Sequence, residues 1–297
     1  ISKYDSANAE HIAKVIDATC IDSKSIASKQ FKVVVDAVNG AGSTILPKLC
    51  EDLGCHVTTI NCNGDGNFTR VAEPLAENLN NLEEKVLEVG ADIGFATDPD
   101  GDRLSIVSNK GDAIGEEYTL ALSFKNFINY QDSMIVTNLS TSRMIDDISS
   151  GSIRTKIGEA HVVEKMKELN ILIGGEGNGG VILKEVHLGR DSLVAIAMIL
   201  NLLSRDNKSL NEIISEIPSY IFIKDKINID NSINFDSLAT LFDCDEINTE
   251  DGIKFSWSDK WIHIRKSNTE PIIRIFAEAK TENEVNDLIQ TLKDYLK

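Results

Sequence analysis

At 297 residues the chain is too long for one ordinary hydrophobic core, and its 42% apolar content suffices for two or three. Thirty basic and 47 acidic residues leave a net charge of -17, which repels a phosphate backbone and excludes nucleic acid as an expected partner. No apolar run approaches the length of a membrane span, no signal peptide is expected, and five cysteines without a C-x-x-C pair read as reduced thiols of a cytoplasmic protein.

In chain order, FKVVVDA (31–37) predicts a buried strand, followed by the turn VNGAGS and a helix over 44–54. A second strand is expected at 56–62. A helix over 78–90 should close on Gly90 as its C-cap. Strands follow at 91–97 and 103–109, then a turn at 109–112. A second unit reads as a helix (116–128), a strand (134–139), a helix from Ser142, a strand (154–158) and a helix (162–169). It continues with a strand (171–175), a glycine loop, a strand (181–186) and a helix (192–204). A third has extended runs at 220–229, 252–267 and 271–279, then a helix over 282–296.

This order predicts an α/β protein: two similar mixed α/β domains (1–112 and 113–217), then a smaller α+β C-terminal domain (218–297). A weak internal repeat supports the pairing. Residues 83–107 and 163–186 share one plan of helix, strand, polar glycine-containing loop and strand. Two copies of that unit would put both loops at equivalent strand ends, where α/β sheets bind ligands.

ATDPDGDRLSIV (96–107) crowds Asp98, Asp100 and Asp102 into five residues. Three carboxylates this close ionise together comfortably only around a cation. An oxygen-only set suits Mg²⁺ or Ca²⁺, and three ligands from one loop leave positions for water and phosphate oxygens. An EF-hand fails, because the twelfth residue from Asp98 is Asn109 rather than Glu. A solvated Asp-Pro-Asp-Gly turn would use the same residues. Arg103 either contacts a phosphate on the metal or offsets the local charge.

GGEGNGG (174–180) is not a dinucleotide fingerprint. Its glycines allow close backbone approach by a ligand, and Glu176 could accept hydrogen bonds from vicinal sugar hydroxyls; a hairpin turn is the other reading. RKSNTEPIIR (265–274) gathers Arg265, Lys266, Ser267, Asn268, Thr269 and Arg274, in type a phosphate cradle and otherwise a polar hairpin turn. NGAGS lacks the P-loop lysine and reads as a tight strand-to-helix turn. His161, His187 and His263 form no triad and read as surface residues, and Asp191 in HLGRDS as a helix N-cap.

Taken in order, these segments resemble the α-D-phosphohexomutase family, which includes phosphoglucomutase, phosphomannomutase and phosphoglucosamine mutase. The resemblance covers nearly the whole chain: VVVDAVNGAGS, DGNFTRVAEPLAENL (with Ala72 where a proline is common), DPDGDR, GGEGNGG and RKSNTEPIIRI. It implies a mutase that interconverts hexose or hexosamine 6- and 1-phosphates through a bisphosphate, with a phosphoserine donor. Asp98, Asp100 and Asp102 would hold Mg²⁺, with Arg103 at the reacting phosphoryl. Glu176 and Asn178 would hold the sugar, and Arg265, Ser267, Asn268, Thr269 and Arg274 the phosphate that does not react.

The sequence departs from the family in two ways. Nothing in it resembles the family's phosphoserine loop, so the chain is expected to be a piece of a longer protein or a truncated relative. By itself it is expected to be inactive as a mutase. Asn178, Gly180 and Glu159 stand where other members carry Ser, His and His, a variant resembling archaeal phosphoglucosamine mutases. Phosphoglucosamine mutase is thus the first expectation. Phosphomannomutase, phosphoglucomutase or a non-catalytic phosphosugar binder are the alternatives, and the oligomeric state is left open.

Overall fold

Two four-stranded sheets share one strand plan. The computed structural model describes residues 6–131, 133–148, 151–228, 238–267 and 271–296. The first sheet holds β1 (Lys32–Asp36), β2 (His56–Ile60), β3 (Ile93–Thr97) and β4 (Leu104–Ser108), in the order β2-β1-β3-β4. The second holds β5 (Ile135–Asn138), β6 (Ser152–Thr155), β7 (Ile173–Glu176) and β8 (Gly180–Leu183), in the order β6-β5-β7-β8. In each, three strands run parallel and the last turns back antiparallel. The repeat seen in the sequence is therefore structural: its two polar loops are the β3–β4 and β7–β8 connections.

The helices cover these sheets. They are α1 (Ala7–Ile16), α2 (Ser23–Lys29), α3 (Gly42–Asp52), α4 (Asn80–Val89), α5 (Glu117–Ile128), α6 (Met144–Ile148), α7 (Glu159–Leu169), α8 (Ser192–Asp206) and α9 (Leu210–Ser215). Strands β1 and β3 are buried on both faces, as continuous apolar runs require between helix layers. Gly90 ends α4 in the left-handed conformation. Helix α8 is buried almost all round, from Ser192 to Ser204. It packs on α5, and both touch β4 and β8, so one apolar core runs through the two sheets.

The third sheet is antiparallel, with β9 (Ile221–Asn228), β10 (Glu246–Asn248), β11 (Ile253–Ser256), β12 (Trp261–Lys266) and β13 (Ile272–Ala279) in the order β10-β11-β12-β13-β9. Alternation of period two divides its faces. Phe255, Ile262, Ile264, Ile273 and Ile275 face α10 (Glu282–Tyr295), which begins with a Thr281–Glu284 capping box. Lys254, His263 and Glu278 face the second unit. Lys254 Nζ donates to the Leu139 carbonyl at 2.6 Å, and the Arg143 N–H donates to Glu278 Oε1 at 3.0 Å.

Some elements differ from expectation. The strand placed at 154–158 is β6 (Ser152–Thr155); Gly158, at φ 126°, ends the extended run and starts α7 three residues early. The 252–267 run is a hairpin, closed where the Trp257 N–H meets the Lys260 carbonyl at 2.9 Å. Helices α1, α2 and α9 were not anticipated. The first two are short and gain burial chiefly by packing on α8, far off in sequence, with α1 also touching α3. All five cysteines are free. Among the described residues no helix is long and apolar enough to cross a membrane.

Candidate active site

The loop between β3 and β4 folds around one carboxylate. Asp98 Oδ1 accepts the backbone N–H groups of Asp102 (3.1 Å) and Arg103 (3.2 Å). The ligand oxygens of Asp98, Asp100 and Asp102 lie within 4.8 Å of one another. Burial, then the neighbouring Asp102 carboxylate, push the Asp98 carboxyl up to about 7. Asp102 Oδ1 is buried without a hydrogen-bond partner. A cation would answer both, and an oxygen-only donor set fits a hard divalent ion. The three aspartates are thus an acidic group able to hold a metal.

The NGAGS turn positions this loop. The Ala41 N–H donates to the Pro99 carbonyl at 2.8 Å, and a Cβ at Gly40 would stand 2.4 Å from that oxygen. Only glycine lets the two backbones come so close. Arg70 braces the same corner, with Nε on Asp36 at 3.0 Å and Nη2 on the Thr97 carbonyl at 2.7 Å.

Arg103 reaches across the loop: Nη1 meets Glu73 at 3.0 Å, and Nε lies 3.5 Å from Asp98 and 3.7 Å from Asp102. Glu176, the last residue of β7, is buried. Its Oε1 accepts Asn138 Nδ2 (2.7 Å) and the Gly158 N–H (3.0 Å), and its Oε2 accepts Arg190 Nη1 (2.8 Å). Arg190 Nη2 donates to Asp102. Asn178 Oδ1 takes the Gly180 N–H at 3.2 Å and holds the glycine loop in shape.

On the third sheet, register places Arg265 opposite Arg274, and Arg274 opposite Lys226. Directly opposed residues share a face, so the three cations form a row. Arg265 Nε stands 3.4 Å from Asp251, and the Ser267 N–H closes the hairpin on the Ile272 carbonyl at 2.9 Å. Asn268 and Thr269, expected in this cradle, lie outside the described residues.

These parts meet in a cleft of about 730 Å³ that draws its walls from all three units. Arg103, Glu176, Asn178, Arg265 and Arg274 line it; the three aspartates and Ser267 do not. Arg103 and Arg190 stand between the acidic triplet and the cleft. Six cations and five carboxylates share the walls, so the cleft is locally cationic in a chain of net charge -17.

Three domain models of the phosphoglucomutase/phosphomannomutase type match in succession: α/β/α domain II at 9–111, α/β/α domain III at 115–220 and the C-terminal domain at 226–294. The chain belongs to the phosphoglucomutase/phosphomannomutase family. It is 38% identical over 280 residues to a phosphoglucomutase/phosphomannomutase of Thermococcus kodakarensis, covering 91% of this chain and 61% of the relative. It is 32% identical to a phosphoglucosamine mutase of Methanocaldococcus jannaschii, covering 95% and 64%. A family protein of Burkholderia thailandensis shares the fold at a TM-score of 0.85 and 25% identity, over all of this chain and 65% of that one. An Aspergillus fumigatus N-acetylphosphoglucosamine mutase, solved with GlcNAc-6P and magnesium, shares it at 0.62 and 15%, over 97% of this chain and 68% of that one. The chain thus spans about two thirds of the length of the relatives it matches.

Arg190 was not foreseen as a site residue. Gly180 makes room for it, since a Cβ there would stand 2.2 Å from Arg190 Cδ. A larger residue there would push the guanidinium out of its place. Glu159, which also lines the cleft, pairs with Arg190 at 3.3 Å. His263, expected at the surface, is fully buried because its face of β12 packs against the β5–α6 loop. Its Nδ1 pairs with Ser140 Oγ at 2.7 Å and its Nε2 with the Asp251 carbonyl at 2.6 Å. Burial lowers its pKa to about 4, against the opposing pull of the Asp251 carbonyl. Asp191 is the N-cap of α8, as expected.

Proposed function

We propose that the protein carrying this chain is a phosphosugar mutase that interconverts hexosamine or hexose 6- and 1-phosphates, with glucosamine phosphate the first substrate. The observation that carries this reading is that Arg103, Glu176, Arg265 and Arg274, drawn from all three units, line a single cationic cleft. The names of the relatives support the sugar class.

On this reading Asp98, Asp100 and Asp102 hold Mg²⁺, which would polarise the transferring phosphoryl group. Arg103 offers its guanidinium to that phosphoryl at the edge of the cleft. Glu176, fixed by Asn138, Gly158 and Arg190, keeps one of its roughly four lone-pair sites, on Oε2, for a sugar hydroxyl, and a second hydroxyl is taken in exchange for one of those donors, so that the ring is anchored in either orientation. Arg265 and Arg274, with Ser267, Asn268 and Thr269, grip the phosphate that does not react, while Asn178 joins Glu176 on the sugar. A symmetric hydroxyl anchor and a fixed phosphate clamp let either end of the sugar reach one metal. The division at 112/113 and 217/218, with one loop per unit, belongs to the same reading, as does a cytoplasmic place of work.

The family's donor is a phosphoserine, and no segment of these 297 residues resembles its loop. The chain alone therefore binds phosphosugar without turning it over. The test is a mutase assay of the full-length protein with glucosamine, glucose and mannose phosphates. Mg²⁺-dependent turnover, lost in Asp100→Asn, is expected. Turnover undiminished in that variant overturns the metal role, and absence of turnover on all three sugars overturns the mutase reading.

A further inference from the structure

One residue beyond Arg190, the Asp191 carboxylate splits its two oxygens between separate tasks. Oδ1 caps α8 by accepting the Leu193 N–H at 2.8 Å. Oδ2 is the meeting point of two imidazoles that come from different parts of the chain. His11, on α1, brings Nε2 to 2.7 Å, and His187, just ahead of α8, brings Nε2 to 3.0 Å. All three ligand atoms lie within 4.8 Å of one another. The Asp191 side chain is 4% exposed, against 29% for His11 and 42% for His187, so an anion lies at the floor and two nitrogens at the rim.

We propose that His11, His187 and Asp191 form a second metal site, of zinc type, that pins α1 to the start of α8 and leaves a coordination position for water. Two imidazoles with one carboxylate favour Zn²⁺, Co²⁺ or Ni²⁺ over the hard ions suited to the acidic triplet. Tetrahedral bonds of ~2.0–2.1 Å set neighbouring ligand atoms about 3.4 Å apart. The observed 2.7 and 3.0 Å edges reach that value with shifts of well under an ångström. Loading needs no redox change. Each neutral imidazole gives Nε2 to the ion and carries its proton on Nδ1.

The position gives the site a structural consequence. Arg190, on one side of Asp191, touches Asp102 and Glu176. Ser192, on the other, donates from Oγ to the Gly101 carbonyl at 2.6 Å. An ion on Asp191 therefore fixes the segment that carries Arg190 and holds the aspartate loop. This proposal does not depend on the mutase reading.

The test is a Co²⁺ titration of the 297-residue chain with Mg²⁺ in excess to occupy the acidic triplet. One equivalent should develop visible d–d absorption that Zn²⁺ abolishes. His11→Gln and His187→Gln should each weaken binding at least tenfold. Asp100→Asn should leave it unchanged. Zn²⁺ should raise the melting temperature of the wild type and not of the double histidine variant. Absent absorption, absorption retained in the double variant, or a near-ultraviolet thiolate band marking a cysteine as ligand would each overturn the proposal. Both histidines are partly exposed, so folding of the variants is not at stake, and far-ultraviolet circular dichroism checks it.

Discussion

Arg190 Nη1 lies 2.8 Å from Glu176 Oε2, and the same guanidinium donates to Asp102 from its other terminal nitrogen. One side chain thus neutralises two carboxylates at corresponding strand ends of two different sheets. It competes with a metal for Asp102 while fixing Glu176 toward the cleft.

Replacing Arg190 with Met should separate these effects. Stability in the absence of metal should fall by about 2 kcal/mol, less than the ~3–5 kcal/mol of a wholly buried pair, because the side chain is 14% exposed. Divalent-cation affinity should rise, since Asp102 regains its full charge. Phosphosugar affinity should drop at least tenfold. Urea denaturation and calorimetric titrations with Mg²⁺ and glucosamine 6-phosphate measure all three, and weaker Mg²⁺ binding would contradict the competition.

Asp100 is the exposed member of the triplet. Asp100→Asn should leave the metal-free melting temperature unchanged or slightly raised, because one of three like charges is gone. The stabilisation by Mg²⁺, about 2.7 kcal/mol at a hundredfold excess over Kd in the wild type, should vanish. Thermal melts with and without Mg²⁺ decide it.

His263 makes stability depend on pH. Its folded pKa of about 4 lies below its ordinary 6.5, so between those values the unfolded chain binds the extra proton. Its contribution is full above pH 6.5 and is lost as pH falls toward 4, worth about 3 kcal/mol. His263→Gln, which can still bridge Ser140 and Asp251, should flatten that slope. Equal slopes in both proteins across a urea–pH series would refute it.

Gly40→Ala places a methyl group 2.4 Å from the Pro99 carbonyl. The expected cost is about 1–3 kcal/mol of stability, together with weaker Mg²⁺ binding as the aspartate loop shifts. Gly66→Ala serves as a comparison, because open space surrounds that position and only its φ of +73° is strained. It should lose stability without losing Mg²⁺ affinity.

The sequence by itself determined the elements with strong local signals. The valine run of β1, the long apolar run of α8, the Gly90 cap and the repeated helix–strand–loop–strand unit stand where periodicity and turn chemistry put them. It also marked the acidic triplet, because three carboxylates two residues apart need no partner from elsewhere to announce themselves. Tertiary structure alone decided the rest. Helices α1 and α2 exist by virtue of α8, more than 160 residues away. Arg190 and His263 carry no motif; their roles come from what lies opposite them in space. The cleft itself is a long-range object, made when side chains from three sheets converge, and such contacts leave no trace in the local pattern of any one of them.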